Sequence, residues 1–153
     1  MPAPVLLNDV VDALEMQFDE YSSYLDLDTG HVVTVSEDLL REAEESGDEQ
    51  DLPAWQKDEW EIAKRIVSTD RFQELPTKFD VHEWAIMQDF SRSVESDGIR
   101  EDLLRAIHGA GAFRNFKDTV RQYGIDSAWF AFRREALAQI ARSWCDDNQI
   151  PWE

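Results

Sequence analysis

Apolar residues recur every three or four positions from Val10 through Leu14 and Phe18 to Tyr21. That is the spacing of one helix face, and Asn8 or Asp9 stands where its cap belongs. The period then changes. Tyr24-Leu25-Asp26-Leu27-Asp28 and His31-Val32-Val33-Thr34-Val35 are short β-prone runs joined through Asp28-Thr29-Gly30. Gly30 supplies the positive φ of a tight turn, so the pattern predicts a β-hairpin. A lone hairpin is marginal in water. It is expected to pack on helices through Leu25, Leu27, Val33 and Val35.

Ser36, followed by Glu37 and Asp38, predicts a second helix start, with acids where the helix dipole favours them. That helix is expected to fade into residues 42–51, a stretch too charged to join a core and expected to form a mobile acidic loop. A helix resumes near Trp55, with Trp60, Ala63 and Ile66 or Val67 on one face, and Leu75-Pro76 ends the segment after it. Asp80-Val81-His82-Glu83 has the form of a capping box, ahead of a helix carrying Val81, Trp84, Ala85, Met87 or Gln88, and Phe90. Another helix runs from Ile99 to Ile107 and breaks at His108-Gly109-Ala110-Gly111. The next buries Phe113, Phe116 and Val120 and stops at Gly124, a residue suited to the left-handed position after a helix. Asp126 is expected to cap the last helix, whose face carries Trp129, Phe132, Ala136, Leu137, Ile140, Ala141 and Trp144. The pattern predicts a mainly α (α+β) chain: a multi-helix domain with a small N-terminal β-hairpin, residues 1–153 forming one domain.

Composition adds charge. The formal net charge is -18, and all of it falls in residues 1–98, which hold 25 Asp/Glu against 7 Lys/Arg; residues 99–153 hold 8 of each. Such a field repels nucleic acid and anionic membranes and favours basic partners or plain solubility. No apolar run approaches the ~20 residues of a membrane helix. The first residues lack the basic stretch of a secretory signal, and the single Cys145 cannot form an internal disulfide. The expected location is the cytoplasm.

The segment Ala106-Ile107-His108-Gly109-Ala110-Gly111-Ala112-Phe113-Arg114-Asn115-Phe116-Lys117-Asp118 resembles the signature of an uncharacterised bacterial family (uncharacterised protein family 0158). Three further segments fit in order: Tyr24 to Gly30, Met87-Gln88-Asp89-Phe90, and Trp129-Phe130-Ala131-Phe132-Arg133 with Trp144. In the family pattern a basic residue stands between the two glycines. Ala110 takes that place here, which weakens an anion-binding role for the loop. The resemblance implies no activity.

Chemistry-bearing groups are sparse. His31, His82 and His108 show no metal-ligand spacing, so no metal and no cofactor is expected, and no catalytic residue stands out. Trp55 and Trp152 fall off the periodic faces and are candidates for exposed contacts. Gly109 and Gly111 open a helix on which Arg114, Lys117 and Arg121 share one side, a geometry that suits an acidic partner or a small anion. A tight turn between two packed helices is the reading of the glycines that the sequence favours. Three functions fit the sequence: a non-enzymatic protein-interaction or anion-binding module acting through Gly109–Arg121, an acidic decoy that mimics nucleic acid and binds a basic protein, and an enzyme of undetermined class.

Overall fold

The computed structural model describes residues 3–45 and 53–153. It is mainly α-helical with a small antiparallel sheet, and it divides into two compact units, residues 1–77 with 141–153 and residues 78–140. Among the described residues no helix is long and apolar enough to cross a membrane.

The first unit opens with α1 (Leu7–Glu15), which buries Leu7, Val10, Val11 and Leu14. The helix stops short of the expected Phe18 and Tyr21, which are 62% and 47% exposed. Its cap position is Leu6, with no side-chain cap bond, so neither Asn8 nor Asp9 caps it. Strands β1 (Tyr21–Asp26) and β2 (Val32–Ser36) form the hairpin, with Tyr24 opposite Val33. Of the four side chains expected to pack it, Leu25 and Val35 are fully buried, while Leu27 and Val33 are partly so. Gly30 has φ +77°, and a Cβ there would lie 2.4 Å from the Pro4 carbonyl oxygen. Both the turn and the passing N-terminal segment therefore require glycine. The buried Asp26 carboxylate accepts the Asp28 N–H at 2.9 Å and lies 3.5 Å from Arg65 Nη2, tying the turn to the next long helix.

A third strand, β3 (Phe72–Glu74), has no counterpart in the sequence pattern. It pairs antiparallel with β1, giving the order β2-β1-β3. Helices α2 (Glu37–Glu45) and α3 (Ala54–Ser68) bury Leu39, Ala43, Trp60 and Ala63 in one cluster. Thus α2 continues through Glu42–Glu45 with Ala43 inside, where the charge density suggests a loop. Residues 46–51 of the expected acidic loop lie outside the described residues.

The second unit begins with α4 (Lys78–Val81) and α5 (Glu83–Ser93). The expected capping box is absent. Asp80 lies inside α4, and left-handed His82 (φ +54°) separates the helices. This break resets the helical phase, so Ile86, Met87, Phe90 and Ser91 face inward and Ala85 faces solvent. Helices α6 (Asp97–Ala106) and α7 (Ala112–Gln122) come next, and then α8 (Asp126–Asp147), whose residues belong to the second unit up to Ile140. Ile125 O accepts the Trp129 N–H at 3.0 Å, which makes Ile125 the cap and places Asp126 in the first turn.

Phe90 is the hub of the second unit. Its ring meets Phe116, Trp129 and Phe132 edge-on at centroid distances of 6.2, 5.4 and 5.4 Å, and Phe116 meets Trp129 at 4.8 Å. Phe116 and Val120 are buried, but Phe113, expected beside them, is 51% exposed. A helix turns about 100° per residue, so a face centred on Phe116 and Val120 leaves position 113 at its margin.

In the first unit, the C-terminal end of α8 closes as a Schellman motif. The Ile150 N–H donates to Cys145 O at 2.8 Å, the Gln149 N–H to Asp146 O at 3.1 Å, and Gln149 takes φ +57°. Ile150 folds back into a buried position, and Trp152 pairs with Val5 in a parallel bridge. Trp55 and Trp152 are 75% and 39% exposed, in line with their place off the periodic faces.

Three measurements check this fold. Gly30→Ala combines an αL penalty of about 1–2 kcal/mol with a backbone clash, so chemical denaturation should show at least about 2 kcal/mol lost. Phe116→Ala should cost about 3–5 kcal/mol, whereas Phe113→Ala should cost about 1 kcal/mol because half its surface is already in water. Burial, with the nearby Asp146, pushes the Cys145 thiol from its ordinary value near 9.0 up to about 11. Across that window the unfolded chain releases the proton and the folded chain keeps it, so stability should fall as pH rises from 9 towards 11. At pH 8 the native thiol should resist alkylation and react fully in denaturant.

Candidate functional site

The element singled out from the sequence is built by two helices and the loop between them. Ser96 caps α6, accepting the Ile99 N–H at 3.5 Å, and α6 buries Leu103. The helix ends at Ile107, whose carbonyl accepts the Trp84 indole N–H at 2.9 Å, while the Trp84 ring meets His108 edge-on at 6.0 Å. These two contacts pin the start of the glycine loop to α5. Periodicity places Trp84 on an apolar face but carries no hint of its polar role, because Ile107 is 23 residues away.

Gly109 and Gly111 take φ +108° and +74°, and Gly111 is the cap of α7. A Cβ on Gly109 would meet nothing within 4 Å, and one on Gly111 would meet only Asn115 Nδ2 at 3.7 Å. The glycines therefore serve backbone conformation and not close approach by a neighbouring chain. Asn115 secures the loop from inside the helix. Its N–H donates to Gly111 O at 2.9 Å, and its side-chain amide donates to Ala110 O at 3.4 Å. At the other end, the Gly124 N–H donates to Arg121 O and the Ile125 N–H to Val120 O, both at 3.1 Å, with Gly124 at φ +65°.

With both ends closed and Phe116 locked inward, the roll of α7 is set. Arg114, Lys117 and Arg121 are all exposed. Arg121 lies 3.9 Å from Asp118 on the same helix, a loose surface pair. Arg114 and Lys117 have no carboxylate partner among the described residues. Phe113 stands one turn from Lys117 and next to Arg114, so its exposed ring joins the basic face. Five residues named from the sequence thus form one element: Gly109 and Gly111 shape its start, and Arg114, Lys117 and Arg121 supply its charge. Phe113 is the sixth member. Periodicity assigns it to the core because it draws a single helix face too wide.

The opposite flank of α7 forms an open groove of about 510 Å³ with α6, lined by Asp102, Arg105, Asn115, Asp118, Thr119 and Gln122. Asp102 accepts a hydrogen bond from the Tyr123 hydroxyl and pairs with Arg105 at 3.0 Å. The bond to Asp102 raises the Tyr123 phenol above its ordinary value. The Tyr123–Asp102 bond ties α6 to the C-terminal end of α7.

Charge divides with the fold. Residues 78–140 hold 9 Lys/Arg against 10 Asp/Glu, whereas the remaining residues hold 6 against 23, so the first unit carries -17 of the net -18. Among the described residues no group of three or more His, Cys, Asp or Glu side chains is arranged to hold a metal ion.

Comparison with known proteins adds a family. The Uncharacterised protein family (UPF0158) matches residues 2–152. A Pseudomonas aeruginosa protein named as a UPF0158 protein is 32% identical over 66 residues, covering 42% of this chain and 43% of its own length. The aligned part is therefore less than half of that relative. No solved structure matches. With almost the whole chain matched, and with the glycine loop and the basic helix behind it inside the match, the protein belongs to the Uncharacterised protein family (UPF0158).

Proposed function

We propose that this protein is a non-enzymatic interaction module that docks an acidic protein partner on the outer face of α7. One observation carries the proposal. In a chain with 33 carboxylates, Arg114 and Lys117 stand exposed without an acidic partner among the described residues, beside a half-exposed phenylalanine. Unpaired surface cations next to an aromatic ring are the raw material of an interface anchor, since Arg and aromatic side chains dominate binding hot spots. A small anion is the lesser ligand for this element, because Ala110 stands between the glycines. The module acts in the cytoplasm, where Cys145 stays reduced.

A second reading is favoured by the -17 of the first unit. That body would engage a basic protein as a nucleic-acid-mimicking decoy. The two readings differ in which unit binds and in the sign of the partner.

The double variant Arg114→Ala/Lys117→Ala should keep stability within about 1 kcal/mol of the parent, since exposed charges contribute little. It should also lower recovery of a captured acidic partner at least tenfold at about 0.15 M salt. Capture unaffected by the double change, at any salt concentration, would remove α7 as the docking face. Recovery of basic proteins alone would support the decoy.

A further inference from the structure

Hydrogen-bond parity shows which side of each strand is occupied. The Asp26 N–H donates to His31 O at 2.9 Å, so the bonds between Tyr24 and Val33 and between Ser22 and Val35 fall in the same phase. On the other side of β1, the Leu75 N–H donates to Ser23 O at 3.0 Å, so odd-numbered residues of β1 face β3. Val33 and Val35 therefore turn their backbone groups towards β1, and Val32, Thr34 and Ser36 turn theirs away from the sheet. The Ser36 N–H is taken by Glu59 Oε1 at 2.7 Å. Val32 and Thr34 have no backbone partner among the described residues, and the Thr34 side chain is exposed.

Two open grooves border this free edge. One, about 510 Å³, is lined by Asp9, Asp12, His31, Val32 and Val33; the other, about 400 Å³, is lined by Phe18, Tyr21, Thr34 and Glu59. Val32 and Thr34 lie on one face of the sheet, two residues apart, which is about 7 Å along a strand. The same spacing separates alternate side chains of an extended peptide. The first groove offers carboxylates. The second offers two exposed rings, Phe18 and Tyr21, already edge-on at 6.5 Å. The unit that carries both grooves has a net charge of -17.

We propose that the outer edge of β2 binds a basic extended peptide segment by antiparallel strand addition, with an Arg or Lys beside Asp9 and Asp12 and an aromatic residue two positions away against Phe18 and Tyr21. Main-chain bonds to Val32 and Thr34 supply the attachment, and the two grooves supply the choice of sequence. Glu59 on Ser36 closes one end and sets the length of the site. Natural edge strands are kept short or charged to prevent promiscuous pairing; here two open residues and the carboxylates of Asp9 and Asp12 beside them favour a cationic strand. The site lies in the first unit alone and does not depend on the α7 reading.

The test uses the full chain and a synthetic peptide, acetyl-Thr-Phe-Thr-Arg-Thr-Lys-amide, whose antiparallel addition sets Phe opposite Thr34 and Arg opposite Val32, with affinity read by fluorescence anisotropy and contacts by amide NMR. In antiparallel pairing opposite Val32 and Thr34, the Arg and Phe N–H groups point at β2 and the Thr N–H groups point away. Methylating the Arg and Phe backbone nitrogens should weaken binding at least tenfold, while the largest amide shifts in the protein fall at Val32 and Thr34. Placing Arg and Phe at adjacent positions puts them on opposite faces and should cost a similar factor. Asp9→Asn should weaken the parent peptide and leave the amide shifts at Thr34 in place. Thr34→Pro, which deletes an outward N–H that no ladder bond uses, should abolish binding. Equal affinity for the parent and methylated peptides would reduce the effect to simple charge attraction and overturn strand addition. So would the absence of binding by the parent peptide. Both comparisons use the unaltered protein and stand even if a variant fails to fold.

Discussion

The contact between Phe116 and the rings of Phe90 and Trp129 is the constraint on which the second unit depends. Edge-on aromatic pairs contribute about 0.5–1.5 kcal/mol beyond the area they bury, and these rings come from α5, α7 and α8. No two of the helices can rotate independently while the rings interlock. The orientation of α7 is a direct consequence. With Phe116 and Val120 inside, Arg114, Lys117 and half of Phe113 have nowhere to go but outward. The candidate site is thus a by-product of core packing, held steady by residues that touch no ligand.

The first unit rests on a different device. Its sheet is small, and its central strand β1 is satisfied on both sides, in part by residues distant in the chain, as in the pairing of Asp26 with Phe72. The turn is fastened by the buried Asp26 carboxylate, which serves the Asp28 N–H and Arg65 together. A buried carboxylate needs such partners, since an unpaired one is costly to remove from water. Passage of the Pro4 carbonyl over Gly30 adds a steric lock. One edge of the sheet, β2, keeps two residues without a backbone partner among the described residues.

Charge distribution links the two units to function without linking their positions. Surface pairs such as Arg41–Asp38 and Arg121–Asp118 are exposed and contribute little to stability. The long-range field of -17 on one unit, against near neutrality on the other, acts at a distance instead. It decides which sign of partner each surface attracts and makes association sensitive to salt, because screening acts over about 8 Å at physiological ionic strength.

Local chemistry suffices wherever a single residue type answers a single backbone demand. Asp28-Thr29-Gly30 announces the hairpin, Gly124 the end of α7, and the glycines before Ala112 a helix start, because positive φ is cheap for glycine alone. Helical periodicity likewise marks Phe116, Val120, Trp129 and Leu137 as core, and the run of amino acids around Gly109 marks the family. Non-local contacts decide the rest. Strand β3 is three residues long and exists because β1, 46 residues earlier, offers it a ladder. The one-residue break at His82 resets the phase of α5, turning Ala85 out and Ile86 in. Whether Phe113 sits inside or outside depends on a rotation of α7 that Phe90 and Trp129 impose. Sequence by itself determined most of the helices, the hairpin and which faces are apolar. Only tertiary structure decided which edge of each apolar face meets water, because that margin is drawn by the shape of the partner across the core.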